Sequence, residues 1–366
     1  MDTVDILKLY FKNEKIESIS DELYNELKLQ NLAQYLYYVL KDNKSIGNYY
    51  LKCQIVQEKY LHLQEELSSI LNEAKIKHTF IKGSVLCTIY PDKALRTRGD
   101  IDIPIIDDNF DKALSVLKNN NYLKGDSCYH HIGFTKYGLE IELHRHILSS
   151  NYKNNTYFDN LLKFNLVNEY EYRLDETIHY LYALWHFHKH VITGEGIRYL
   201  LDFYYMQKNW DLDHDFINKE LINTNLSRFH TSIMNGVYII TGEKLWGFDN
   251  ENDFKLINLL RDSGIHGRNT NPTENLMSAN SKSKFYYICD RLFLFNKLER
   301  QTLYPRLSKS IFFYPILLTH RSCHLLFTRL KSLKRYLKFK KNDDRNNLLS
   351  EIGVIELWVM TMNHHK

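Results

Sequence analysis

The sequence predicts an α+β fold: a small mixed-sheet unit preceded by helices and followed by a larger α-helical domain. Three observations carry this. From about 20 to 76, apolar residues recur at three and four spacing, as in "LYNELKLQNLAQYLYYVL" and "IVQEKYLHLQEELSSILNEAKI", with Gly47 between the two runs. Between 77 and 147 the pattern shortens to alternation punctuated by Gly, Pro, Asp and Asn. After Asn155 helical spacing returns and persists. The predicted divisions are 1–76, 77–150 and 151–366.

Within the middle unit, "HTFIKG" reads as a short strand ending in a Gly turn, and "SVLCTIYPD" as a short helix stopped by Pro91. "DIDIPII" reads as a strand, "DNFDKALSVLKNNNYLK" as a capped helix, and "YHHIGFTKYGLEIELHRHI" as two strands turning at Lys136 to Gly138. In the last part, helices are predicted over roughly 174–193, 198–209, 213–222, 226–241, 251–262, 283–299 and 308–340. "SSNYKNNTYFDN" is a polar link, and 261–284 is the most loop-like passage.

A chain of 366 residues with 44% hydrophobic and 14% aromatic residues can bury substantial cores. Its net charge of +4, from 48 basic and 44 acidic residues, calls for neither nucleic acid nor an anionic membrane. Five scattered cysteines with no C-x-x-C argue against a disulfide framework or zinc knuckle and fit a reducing cytoplasm. "MDTVDILKLYFKNEKIE" carries charges throughout, unlike a secretory signal, and "IFFYPILL" is far short of the roughly 20 residues that span a bilayer. A cytoplasmic protein without a transmembrane segment is expected.

In "FIKGSVLCTIYPDKALRTRGDIDIPI", Asp100 and Asp102 stand two apart on a predicted strand and therefore project from one face, about 6–7 Å apart at the backbone. At an effective dielectric near 20 two such charges repel by roughly 2–3 kcal/mol. A hard divalent cation relieves this, since Mg²⁺ is usually held by one or two carboxylates together with substrate phosphates. On "LEIELHRH", Glu140, Glu142 and His144 share one face, so either glutamate can supply a third acid, as base or metal ligand; Glu142 is preferred. Gly83 and Ser84 open the short helix beside Lys82, which suits an anion. A phosphate cradle opposite a two-carboxylate site is the layout for in-line attack on a nucleotide phosphorus.

"KGS" followed by "YPDKALRTRGDIDI", a helix and "IELH" resembles the DNA polymerase β-type nucleotidyltransferase superfamily, specifically its bacterial branch of uncharacterised nucleotidyltransferases. The resemblance extends over about 50–340. It places the family's Gly-Ser turn on Gly83 and Ser84, its arginine on Arg96, its metal aspartates on Asp100 and Asp102, and its third-strand acid and histidine on Glu142 and His144. "HYLYALWHFHKHVITGEGIRYLLDF" resembles the branch's histidine-rich helix with its following Arg and Asp, here His186, His190, Arg198 and Asp202. "RLFLF" and "LYPRL" resemble its C-terminal section more weakly.

The resemblance implies an Mg²⁺-dependent enzyme, with one or two ions and Mn²⁺ as an alternative, that moves an NMP from an NTP to an acceptor hydroxyl or phosphate and releases pyrophosphate. Asp100, Asp102 and Glu142 are the expected catalytic and metal residues; Lys82, Gly83, Ser84, Arg96, Arg98, His186 and His190 are the expected nucleotide contacts. A small molecule, saccharide, peptide or protein is the expected acceptor, with nucleic acid less favoured. A toxin-like transferase acting on tRNA or protein and a catalytically silent nucleotide-binding scaffold are the alternatives. Arg198 and Asp202, at i, i+4 spacing, are expected to form a structural salt bridge. The basic run "RLKSLKRYLKFKK" at 329–341 is expected as a solvated helix. Pro104 removes a ladder hydrogen bond, so its strand must end there or lie at an edge.

Overall fold

A computed structural model describes residues 1–41, 43–127, 131–147, 155–264, 275, 304, 307, 310–328 and 343–354. The expected helix 283–299, the basic run 329–341 and "RLFLF" lie outside the described residues, as does "LYPRL" apart from Tyr304 and Leu307.

Four helices open the chain: α1 (Thr3–Phe11), α2 (Asp21–Leu29), the short α3 (Leu36–Val39) and the 30-residue α4 (Lys44–Glu73). α1 begins with a reciprocal cap. Asp2 accepts from the Val4 and Asp5 amides while Asp5 accepts from the Asp2 amide, the capping signal carried by "DTVD". The helical spacing of 23–40 is interrupted at Asn31, whose left-handed φ of 51° ends α2. Conversely α4 runs through Gly47, because Asn43 caps its start and the long helix absorbs the roughly 1 kcal/mol that a glycine costs.

The middle of the chain forms α5 (Gly83–Leu86), β2 (Asp100–Pro104), α6 (Phe110–Asn119), β3 (Leu123–Ser127), β4 (His131–Lys136) and β5 (Leu139–His144). The four strands make one sheet in the order β2-β5-β4-β3, with β2 parallel to β5 and the other pairs antiparallel. β2 is an edge strand and ends at Pro104, which meets both conditions set by the missing amide hydrogen.

A second sheet departs from the sequence reading. β1 (His78–Thr79) pairs in parallel with β7 (Glu171–Leu174), which pairs with β6 (Phe164–Asn168). The segments around β1 and β2 are also joined by the isolated bridges His78 to Ile105 and Ile81 to Asp102. Helical spacing is expected after Asn155, and 164–174 depart from it as strands; most of β6 is exposed, so its side chains lack the apolar alternation that marks a half-buried strand.

After α7 (Asn155–Leu161) come α8 (Glu176–Thr193), α9 (Arg198–Asn209), α10 (His214–Asn223), α11 (Ser227–Thr241), α12 (Lys255–Ser263), α13 (Tyr314–Thr328) and α14 (Asp343–Glu351). Two main apolar cores result. One unites α1–α3 with α8–α12 around Trp185, Phe187 and Phe203. The other joins the C-terminal half of α4 to α6 and the four-stranded sheet through Leu63, Leu67, Ile101, Ile103 and Ile141. The site lies where these two cores meet. No helix among the described residues is long and apolar enough to cross a membrane.

Three histidines in the helical core, His179, His188 and His230, are buried, and burial lowers their pKa values to about 4, about 4 and about 3. An unfolded histidine titrates near 6.5, so between that value and about 4 the unfolded chain binds protons that the folded chain refuses. Stability is therefore complete above pH 6.5 and falls as pH drops, by roughly 1–3 kcal/mol per histidine. Urea midpoints measured from pH 7 to 4.5 should fall steadily, and the fall should lessen in His188→Gln; a flat profile would contradict this.

Candidate active site

The sheet register builds the acidic cluster. Asp100 lies opposite Glu140, Asp102 opposite Glu142 and Pro104 opposite His144. The hydrophobic members of the same strands, Ile101, Ile103, Ile141 and Leu143, turn the other way into the core. The alternation therefore anchors one face and presents carboxylates on the other. Ligand oxygens of Asp100, Asp102 and Glu142 lie within 4.8 Å of one another. Glu140, the other glutamate considered, is exposed and is not in this group.

Asp102 is 1% exposed, and its Oδ1 receives the Lys82 ammonium at 2.7 Å and His144 Nε2 at 2.8 Å. Burial opposes its charge, but Lys82 and His144 overcome that cost and hold its pKa below the usual carboxylate range. Asp100 shows the reverse: repulsion from Asp102, then burial, pushes it up to about 6. The cluster is thus short of positive charge at Asp100. His144 Nε2 also lies 3.3 Å from Glu142 Oε2, and His131 Nδ1 approaches the same oxygen at 3.3 Å, so two imidazoles orient the third carboxylate. Three hard oxygen donors on a rigid sheet suit Mg²⁺ or Mn²⁺.

These groups open into a cleft of about 400 Å³ between the sheet and α8–α9. Lys82, Gly83, Arg98, Asp100, Glu142 and His144 line one side. α8 contributes Tyr182, His186, Lys189 and His190, spaced three or four apart on one helical face, with the His186 and His190 rings 4.3 Å apart. Glu195, Arg198 and Tyr199 follow on the α8–α9 junction. The structure therefore brings Lys82, Gly83, Arg96, Arg98, His186 and His190 to one cleft with Asp100 and Glu142, while Asp102, 1% exposed, does not line it.

The glycine turn differs from expectation. α5 is a single turn, shorter than the helix expected from Ser84 to Tyr90, so its dipole is small. Lys82 takes a φ of 53°, unusual for a side-chain-bearing residue, and its amide donates to His179 Nε2 at 3.3 Å. Gly83 allows a close approach: a Cβ there would meet the Arg98 Cβ at 3.0 Å. Ser84 is 2% exposed, its Oγ makes no hydrogen bond, and it does not line the cleft.

The arginines exchange the partners the sequence suggests. Asp202 does not pair with Arg198. It accepts Arg96 Nε at 2.6 Å and Nη2 at 2.9 Å, a bidentate fork, and Tyr90 Oη at 2.7 Å. Arg96 Nη1 donates to the Thr97 carbonyl, so Arg96 reaches the cleft with its guanidinium committed to protein partners. Arg198 donates from Nη1 to the Thr97 carbonyl, and its buried Nε makes no hydrogen bond. Geometry explains the exchange, since a fork to a carboxylate on another segment is better aligned than an i, i+4 pair on one helix.

Arg98 is held by α4: its Nε donates to Gln57 Oε1 at 3.2 Å and its Nη1 to Gln64 Oε1 at 2.8 Å, while Nη2 is buried without a hydrogen bond. Gln57, Tyr60 and Gln64 form one α4 face, and Tyr60 and Gln57 also bind the Gly99 and Arg96 carbonyls. Among the described residues neither Arg98 nor Arg198 forms an ion pair, and burial lowers both pKa values. Arg98 and Arg198 line one cleft without a carboxylate partner among the described residues, which suits an anionic ligand such as a phosphate chain. Sequence reasoning missed His131, Tyr182, Lys189 and Glu195; the helical spacing of Tyr182, His186 and Lys189 was the signal available for two of them.

A family model described as "Uncharacterised nucleotidyltransferase" matches residues 18–235. No curated protein and no solved structure matches the chain.

Proposed function

Because the chain belongs to the uncharacterised nucleotidyltransferase family, we propose that it transfers an NMP from an NTP to a hydroxyl or phosphate of an acceptor and releases pyrophosphate. The observation that carries this reading is one cleft lined by Asp100 and Glu142, with buried Asp102 beside them, and by Arg98 and Arg198, which have no carboxylate partner among the described residues. Asp100, Asp102 and Glu142 would hold Mg²⁺, which when bound supplies charge neutralisation at the phosphates. Arg98 and Arg198 bind the triphosphate oxygens, with Lys82 close to the acids and His186 and His190 donating from α8. Gly83 lets the chain pass close to Arg98, and Ser84 stands behind that turn. Arg96 positions the loop that carries Arg98 rather than contacting phosphate.

His144 keeps the Asp102 and Glu142 oxygens in place. With these groups aligned, the acceptor oxygen attacks the α-phosphorus, its proton leaving to a cleft carboxylate, and the bond to the pyrophosphate oxygen breaks. The acceptor class is a small molecule, saccharide, peptide or protein, and the site of action is the cytoplasm.

Labelled nucleotides test the reaction type. The protein is incubated with Mg²⁺, acceptor fractions from a cell extract and each NTP labelled at either the α- or the γ-phosphorus. Label from the α position is expected on the acceptor, with γ label in pyrophosphate. Transfer of the γ label would instead identify a phosphotransferase and overturn the reading.

A further inference from the structure

We propose that His131, Glu142 and His144 form a second, chemically distinct metal site that takes a borderline transition ion such as Zn²⁺, sharing Glu142 with the oxygen-rich cluster. The three side chains offer ligand atoms that all lie within 4.8 Å of one another. Glu142 Oε2 is 3.3 Å from His131 Nδ1 and 3.3 Å from His144 Nε2. Bonds of about 2.0–2.1 Å to a tetrahedral ion place neighbouring donors roughly 3.3 Å apart. The two separations measured at Glu142 therefore match those of ligands sharing one ion.

The backbone explains why these groups converge. His131 on β4 lies directly opposite His144 on β5, and Glu142 stands two residues before His144 on the same strand, so all three project from one sheet face. β4 and β5 are the two inner strands of the sheet, which fixes the donors on regular secondary structure. All three residues line the cleft, so an ion held by them keeps a position open toward a ligand, as in a catalytic rather than a closed structural site.

Donor chemistry separates this set from its neighbour. Asp100, Asp102 and Glu142 present oxygen only, which Mg²⁺ prefers, whereas two imidazoles and one carboxylate suit Zn²⁺ or Co²⁺. Binding at the histidine set would release His144 from its hydrogen bond to Asp102. The carboxylate of Glu142 would then join the two sites. The assignment stands on donor geometry, and its test reads metal binding rather than transfer, so it and the proposed reaction can fail separately.

Co²⁺ is the probe, titrated into the full chain in excess Mg²⁺ and read by its visible absorption bands. The wild type should bind one Co²⁺ tightly, with bands displaced by Zn²⁺. His131→Ala and the bulk-preserving His131→Phe, each checked for folding by circular dichroism, should weaken that binding by roughly a hundredfold, whereas Asp100→Asn should leave it unchanged. Zn²⁺ should also protect His131 of the wild type from diethyl pyrocarbonate, a measurement that needs no variant. Absence of a tight Co²⁺ site in the wild type, equal binding by folded His131 variants, or no protection of His131 would overturn the proposal.

Discussion

Asp102→Asn is expected to lower nucleotidyl transfer by roughly a thousandfold or more, since losing several kcal/mol of charge stabilisation at the reacting phosphates costs a factor of ten for each 1.36 kcal/mol. Asp102 is the buried member of the cluster, and Lys82 and His144 both converge on its Oδ1. The amide retains the shape but loses the charge that Lys82 and His144 face. Asp100→Asn should abolish activity similarly while having the opposite effect on stability. Asp102 pushes the Asp100 pKa up to about 6, so ionised Asp100 weakens the fold. A carboxyl whose folded pKa is raised contributes stability at low pH that is lost as pH rises from about 3.9 through about 6. Removing this charge should therefore stabilise the ligand-free protein at pH 7.5 by on the order of 1–2 kcal/mol. Activity assays combined with urea denaturation check both variants; an active Asp102→Asn, or an Asp100→Asn destabilised at pH 7.5, would contradict the assignment.

The largest effect on stability is expected at Asp202. Its carboxylate lies between Arg96 and Tyr90, all three buried, and it links α9 to the segment leading into β2. Asp202→Ala leaves the Arg96 guanidinium in the interior without compensation, which costs about 3–5 kcal/mol. Arg96→Lys should also be costly, because an ammonium cannot make the two-pronged contact. Arg198 provides the contrast. Burial disfavours its charge and no carboxylate among the described residues pairs with it, so Arg198→Met should leave stability unchanged or raised while weakening NTP binding by about tenfold or more. Denaturation and nucleotide-binding measurements on the three variants separate a structural arginine from a ligand-binding one. Equal destabilisation of Asp202→Ala and Arg198→Met would refute this division.

The central acidic motif was legible because a strand has a period of two. Asp100 and Asp102 had to share a face, and the alternating "LEIEL" had to place a glutamate on another. Pro104 likewise announced an edge strand, since a missing amide hydrogen is a local property. What one sequence could not give was the pairing of residues far apart. Arg96 and Asp202 are separated by 106 positions, and nothing local favours that fork over the i, i+4 neighbour Arg198. The same limit hid His131, which acquires its role only when β4 is registered against β5. β6 and β7 escaped notice because most of β6 is exposed and carries little apolar alternation, although they take β1 away from the sheet expected for it.

Lys82 shows how local strain and long-range contact combine at the site. A left-handed φ on a residue with a Cβ costs on the order of 1–3 kcal/mol and persists only when its surroundings enforce it. Here the amide is held by His179 of α8 and the ammonium by Asp102 of β2. One residue thereby couples the helical core to the acidic strand.

The most direct test of the account is thermal denaturation of the wild type and of an Asp100→Ala, Asp102→Ala double variant with ATP, GTP, CTP and UTP, each with and without Mg²⁺. A ligand at a hundred times its dissociation constant stabilises a fold by about 2.7 kcal/mol, a readily measured shift. At least one nucleotide should stabilise the wild type in an Mg²⁺-dependent manner, and the double variant should remain folded and lose that response. No nucleotide-induced shift in the wild type, or an equal Mg²⁺-dependent shift in the variant, would contradict a metal-triphosphate site at Asp100 and Asp102.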